Sequence, residues 1–174
     1  MLRDMSTRKK LLLLPSLFVI IVLVSALVYN YYNSKTKNRA NVAIQTNVLI
    51  QEVLKGRISV YQFLRDSNEE NAKKVRADFK ALEESVKKLQ PKLIKKENID
   101  LSNEIIKLSK QYINHFNDFY NQQIKDFNKG IFHDGKETLA ILDKMVKIGL
   151  LLEKDLDKIN ENANIMKNEA EDNM

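Results

Sequence analysis

Residues 8–35 read RKKLLLLPSLFVIIVLVSALVYNYYNSK, and no later stretch of the 174-residue chain approaches that apolar density. The run from Leu11 to Val28, prolonged by tyrosines, matches the ~20 residues a helix needs to cross the hydrocarbon core of a bilayer. Arg3, Arg8, Lys9 and Lys10 precede it, while Tyr29, Tyr31 and Tyr32 close it as an interfacial aromatic belt does. Lys35, Lys37 and Arg39 follow, so the charge bias is modest. It nevertheless favours a cytoplasmic N-terminus, with everything after about residue 33 outside. The expected layout is a cytoplasmic tail (1–10), a transmembrane helix (11–32) and an extracytoplasmic domain (33–174). That layout describes a single-pass protein of the inner, cytoplasmic membrane whose domain faces the periplasmic or extracellular side. A cleaved signal peptide competes with it, because Val24-Ser25-Ala26 puts small residues where a signal peptidase acts. The apolar run continues past that point into the tyrosines, as an anchor requires.

The anchor also accounts for part of the charge. Lys plus Arg number 29 against 23 Asp plus Glu, a net of +6, which falls to +3 once Arg3, Asp4, Arg8, Lys9 and Lys10 are set aside. So mixed a surface gives little support for nucleic-acid binding. The absence of cysteine excludes a disulfide, a thiolate metal site and a catalytic thiol. Two prolines and four glycines, beside abundant Lys, Glu, Leu, Ile and Asn, mark the chain as all-α.

Period divides the exported part into four helices. The first runs from about Asn33 to Arg65, continuous with the span, and stops at Ser67, which with Glu70 forms a capping box for the second. The second places Ala72, Val75, Phe79, Leu82, Val86 and Leu89 at alternating three and four spacing and ends before Pro91. After the connector PKLIKKEN, a third helix from about Ile99 to Lys129 carries Ile105, Leu108, Tyr112 and Phe119 on one stripe. Ile106, Ile113, Phe116, Tyr120 and Phe127 lie beside it. Gly130 stands where a C-terminal cap belongs. The fourth helix begins near Asp134 and keeps heptad phase from Leu142 through Met145, Gly149, Leu152, Leu156 and Ile159 to Ala163, Met166 and Ala170. Four amphipathic helices with short connections predict an antiparallel up-down-up-down four-helix bundle standing on the membrane. Its tip would hold the turns near Ser67 and Gly130, and the fourth helix would return to the bilayer.

No phosphate-binding glycine loop, HExxH or nucleophile elbow is present, so neither an enzyme nor a bound cofactor is expected. His115 and His133 are separated by roughly 22 Å of helix and cannot share a metal. His133-Asp134 reads as a polar turn and cap, and His115 as a boundary residue. On the first helix Ala43, Ile50, Leu54, Tyr61 and Leu64 read as the core stripe, interrupted by Arg57. A cation on a core stripe is costly unless paired. With both turns taken at one height, Arg57 falls level with Tyr120 and Gln123, and with Asp126 and Asp143 within reach. Three readings stay open: an internal ion pair with one of those aspartates, a side chain snorkelling to the surface, or a guanidinium held for a ligand carboxylate. In the last, the candidate ligand-binding residues are Arg57, Tyr61, Tyr120 and Gln123.

The stretch GRISVYQFLRDSNEENAKKVRADFKALEESVKKL, residues 56–89, resembles the distal helix-turn-helix of helical-bundle sensory domains in bacterial methyl-accepting chemotaxis receptors. Arg57, five intervening residues, Phe63-Leu64 and a polar turn are similar to the arginine and aromatic-leucine pair that opens this turn in the family. Helical sensory domains of histidine kinases look similar. The turn departs from the family pattern, reading DSN where a small residue or glycine precedes an acid. No second span, HAMP linker or signalling hairpin follows, so the expectation is the sensory half of a receptor, truncated or acting through a partner. The resemblance implies a small-solute ligand of the organic-acid or amino-acid class, signalling by helix displacement, and a homodimer. The competing expectation is a membrane-anchored interaction protein. Leu49, Val53, Val60 and Phe63 around Gly56 give the first helix a second apolar face, which is the expected dimer surface.

Overall fold

The long first helix changes its surroundings along its own length. In a computed structural model the backbone is described for residues 7–130 and 135–172, and side chains for 18–130, 135–170 and 172. His133 and Asp134 lie outside the described residues. Every element among them is helical: α1 (Thr7–Arg65), α2 (Glu69–Leu89), α3 (Lys96–Asn128) and α4 (Lys136–Glu171), with one 3-10 turn, Gln90–Lys92, behind α2. α1 is the one described helix long and apolar enough to cross a membrane, and its side chains from residue 18 to 32 are all exposed. Apolar exposure on every face suits a lipid-like solvent better than water.

From residue 42 onward α1 becomes amphipathic. Its buried seam is Val42, Thr46, Leu49, Val53, Gly56, Val60 and Phe63, spaced alternately four and three. This corrects the predicted core stripe, since Leu54 and Tyr61 are exposed and Arg57 flanks the seam instead of interrupting it. It also corrects the predicted dimer surface, because Leu49, Val53, Val60 and Phe63 are the core face. Thr46 and Gly56 carry little hydrophobic weight, so the true seam looks weaker in sequence than its neighbour.

α1 packs on α2 and on α4, and α3 packs on the same two helices. α2 buries Ala72, Val75, Phe79, Leu82, Val86 and Leu89, the residues its spacing predicts. The turn before it differs from the predicted capping box. Asn68 is the cap, its Oδ1 accepting from the Asn71 N–H at 2.8 Å, while the Ser67 hydroxyl donates back to the Phe63 carbonyl. Either side chain can cap a helix, and here Ser67 lies just past α1 with its hydroxyl tied back to the last turn of that helix. Gly130, at φ 75°, takes the left-handed conformation that ends α3.

The core has two textures. Toward the end remote from the span, Phe63, Phe79, Phe116 and Phe119 are fully buried. Toward the span, Thr46, Asn98, Ser102 and Asn162 are buried among aliphatic residues.

Candidate functional site

Arg57 has a partner, and it is neither of the aspartates expected. Its Nη1 donates to Oε2 of Glu153 on α4 at 2.9 Å, with each side chain 38% exposed. Asp126 instead accepts from Thr138 at 2.6 Å and from Gln122 at 3.0 Å, and Asp143 pairs with Lys147 along α4. The Thr138 hydrogen bond foremost holds the Asp126 carboxyl below the usual range.

Beside the Arg57–Glu153 pair lies a groove of about 200 Å³ between α1, α3 and α4. α1 contributes Arg57, Val60, Tyr61 and Leu64; α3 contributes Tyr112. The wall on α4 is apolar, from Leu142, Met145 and Val146 to Gly149 and Leu150. Gly149 sets the depth: a Cβ there would stand 3.9 Å from the Tyr112 ring, an ordinary contact that would narrow the groove. The polar groups are few and convergent, a guanidinium and two phenols above an apolar floor, which is the usual composition of a small-molecule site.

Tyr112 is held by a chain of contacts that starts on α1. A Cβ at Gly56 would lie 2.9 Å from the Phe79 ring, so the missing side chain is what lets α2 bring Phe79 in. Phe79 then stacks on Tyr112 with centroids 3.9 Å apart and planes at 17°. Burial pushes the Tyr112 hydroxyl up to about 12, against the lowering field of Arg57, so it stays a neutral donor near pH 7.

The geometry thus joins Arg57 and Tyr61 and leaves Tyr120 and Gln123 out of the groove. Tyr120 belongs to the α2–α3 seam. Arg76 lies over its ring at 5.2 Å, and its hydroxyl donates to Glu69, which raises the phenol and lowers the carboxylate from their ordinary values. Gln123 is half-buried one turn farther along α3. The cause is an axial offset. Phe63 packs against Phe116, Phe119 and Tyr120, with centroids 5.1, 6.2 and 5.8 Å away. Arg57, six residues below Phe63, is therefore level with Tyr112. α3 runs on past the end of α1 by roughly eight residues, or ~12 Å. Taking both turns at one height displaced the α3 residues by two turns. The signal that could have found Tyr112 was Gly56, whose spacing to Phe63 on the buried seam marks a close approach by a ring.

His115 is partly exposed, with Nδ1 3.9 Å from Asp118 Oδ2. Among the described residues no group of three His, Cys, Asp or Glu is arranged to hold a metal. No family model matches the chain, and no curated protein or solved structure matches it either.

Proposed function

We propose that the chain is a membrane-anchored ligand sensor of the chemotaxis-receptor type, its helices forming an antiparallel four-helix bundle outside the cytoplasm. The observation that carries this reading is the groove at Arg57, because it lies on the seam between the membrane helix α1 and α4. A small solute with one carboxylate and an apolar body fits its chemistry. The carboxylate takes Arg57 from Glu153, Tyr61 and Tyr112 donate to it, and the apolar body lies on Val146 and Leu150. Losing the Arg57–Glu153 tie frees α4 to shift against α1, and shifts of ~1–2 Å suffice to switch packed helices. No catalytic step is part of this reading.

A homodimer follows from a different face than the buried one. Ile44, Asn47, Gln51, Leu54, Ile58 and Tyr61 recur at three and four spacing along α1 and are all exposed. Two chains anchored in one bilayer carry this stripe in parallel, with Asn47 and Gln51 fixing register as polar seam residues do. The same stripe supports a second reading, an anchored interaction protein that holds a partner and senses nothing.

Thermal unfolding of the full chain in nanodiscs, screened against small carboxylates, separates the two. A ligand at about 100 times its Kd adds roughly 2.7 kcal/mol to stability. Arg57→Ala should remove that gain yet change the free protein by no more than about 1 kcal/mol, since its ion pair is half-exposed. Full retention of the gain in Arg57→Ala, or no gain from any carboxylate, defeats the sensor reading.

A further inference from the structure

At the membrane-proximal end the connector between α2 and α3 comes down beside α1. Leu93 is buried and anchors it, whereas its neighbour Ile94 is 66% exposed. Lys92, Leu93 and Ile94 line one shallow depression with Asn38 and Arg39 of α1 and Met166 of α4. Arg39 fixes this corner by donating to the Met166 carbonyl at 2.9 Å. Asn38 is six residues beyond Tyr32, so the connector hangs about 9 Å along the helix from the last interfacial tyrosine. Polar headgroups occupy about 5–7 Å on each side of the hydrocarbon. Charges then act across a further ~8 Å at physiological salt. A connector at that height is within electrostatic reach of the headgroups.

Its charge suits them. Lys35 and Lys37 on α1 and Lys95 and Lys96 on the connector side make no ion pair among the described residues. Lys92 bonds only the neutral Gln45, at 3.1 Å. Acids lie near it too: Glu169 and Asp172 follow Met166 at the end of α4, and Glu97, Asp100 and Glu104 gather with Asp155 on the α3–α4 side, with Lys96 beside them.

We propose that this connector is a lipid-contacting foot. Lys35, Lys37, Lys92 and Lys95 engage the anionic phospholipid headgroups of the bilayer that α1 crosses, and Ile94 seats among them at the interface. Juxtamembrane lysine clusters bind anionic lipid this way. The inference rests on α1 spanning a bilayer and on nothing about the groove at Arg57 or the side the domain faces, so its failure leaves the sensor reading standing.

The chain has no tryptophan, so Ile94→Trp supplies its single indole, excited selectively at the red edge where the six tyrosines do not absorb. The variant, as the full chain, is placed in nanodiscs of phosphatidylcholine alone or with phosphatidylglycerol. Emission should shift to the blue in the anionic discs, and the shift should vanish at high salt and in Lys92→Glu/Lys95→Glu. Solvent-like emission in both discs overturns the proposal. So does a shift reproduced by inorganic phosphate over zwitterionic discs, which would assign the cluster to a free anion. An equal shift from Phe127→Trp at the far end would mean that the whole domain lies flat, and also overturns it.

Discussion

Around Phe63 the core is closed by rings, whereas around Asn98 amides and hydroxyls are set among aliphatic residues. The rings meet edge-on or stacked, as Phe63 does on Phe116 and Phe79 on Tyr112. At the other end the Asn162 amide donates to Asn98 Oδ1 at 2.8 Å, and the Gln90 amide donates to the Ser102 hydroxyl at 3.1 Å. Ring contacts are worth much in buried area and favour edge-on or offset arrangements. A buried amide pair has one satisfying geometry, so it fixes the register of α3 on α4. The half next to the span is tied by an amide pair across α3 and α4, and the half that carries the groove chiefly by ring contacts.

The largest test of that contrast is Phe63→Ala, which removes a fully buried ring touching three others. It should cost about 3–5 kcal/mol in denaturant unfolding of the full chain. A loss below about 1 kcal/mol would mean that the rings are not what holds the distal half. Next comes Asn162→Leu. It strands the buried Asn98 amide and should cost about 1–3 kcal/mol, while Asn98→Leu with Asn162→Leu should return close to the parent. If the double variant is no better than the single, the amide pair does not act as a unit.

Gly56→Ala sharpens the link between core and groove. Overpacking against Phe79 costs about 1–3 kcal/mol, and the gain in helix propensity returns up to about 1 kcal/mol. The clash wins because Phe79 is buried and stacked on Tyr112, leaving a net loss on the order of 1 kcal/mol. A neutral result would show that the ring can step aside. The smallest effect is expected at Asp126. Its carboxyl is held below its ordinary value by the Thr138 hydrogen bond, so its contribution is present above about pH 4. It fades as pH falls through the depressed folded value. Asp126→Asn should therefore flatten the acid limb of the stability profile, and an unchanged limb would contradict the assignment.

The site was half legible in the sequence. Arg57 stood out as a cation among apolar neighbours, and Tyr61 followed one turn later on the same flank. Placing Tyr120 by its distance from the turn requires α1 and α3 to end together, and they do not. Glu153 was not distinguishable from the other carboxylates of α4, since its role depends only on which residue faces it.

Local spacing by itself determined the apolar span, the four helices and the buried stripes of α2 and α4. A 3.6-residue period and a single apolar face leave one way to bury each of those helices. Tertiary structure decided what periodicity leaves open on α1, where two adjacent stripes are apolar and only one meets the core. That choice was made by shape: Phe79 enters at Gly56, where α1 has no side chain, and Phe63 enters among Phe116, Phe119 and Tyr120. The same interlocking set the axial offset between α1 and α3, which no short turn joins directly. It is why Arg57 faces Glu153 and Tyr112.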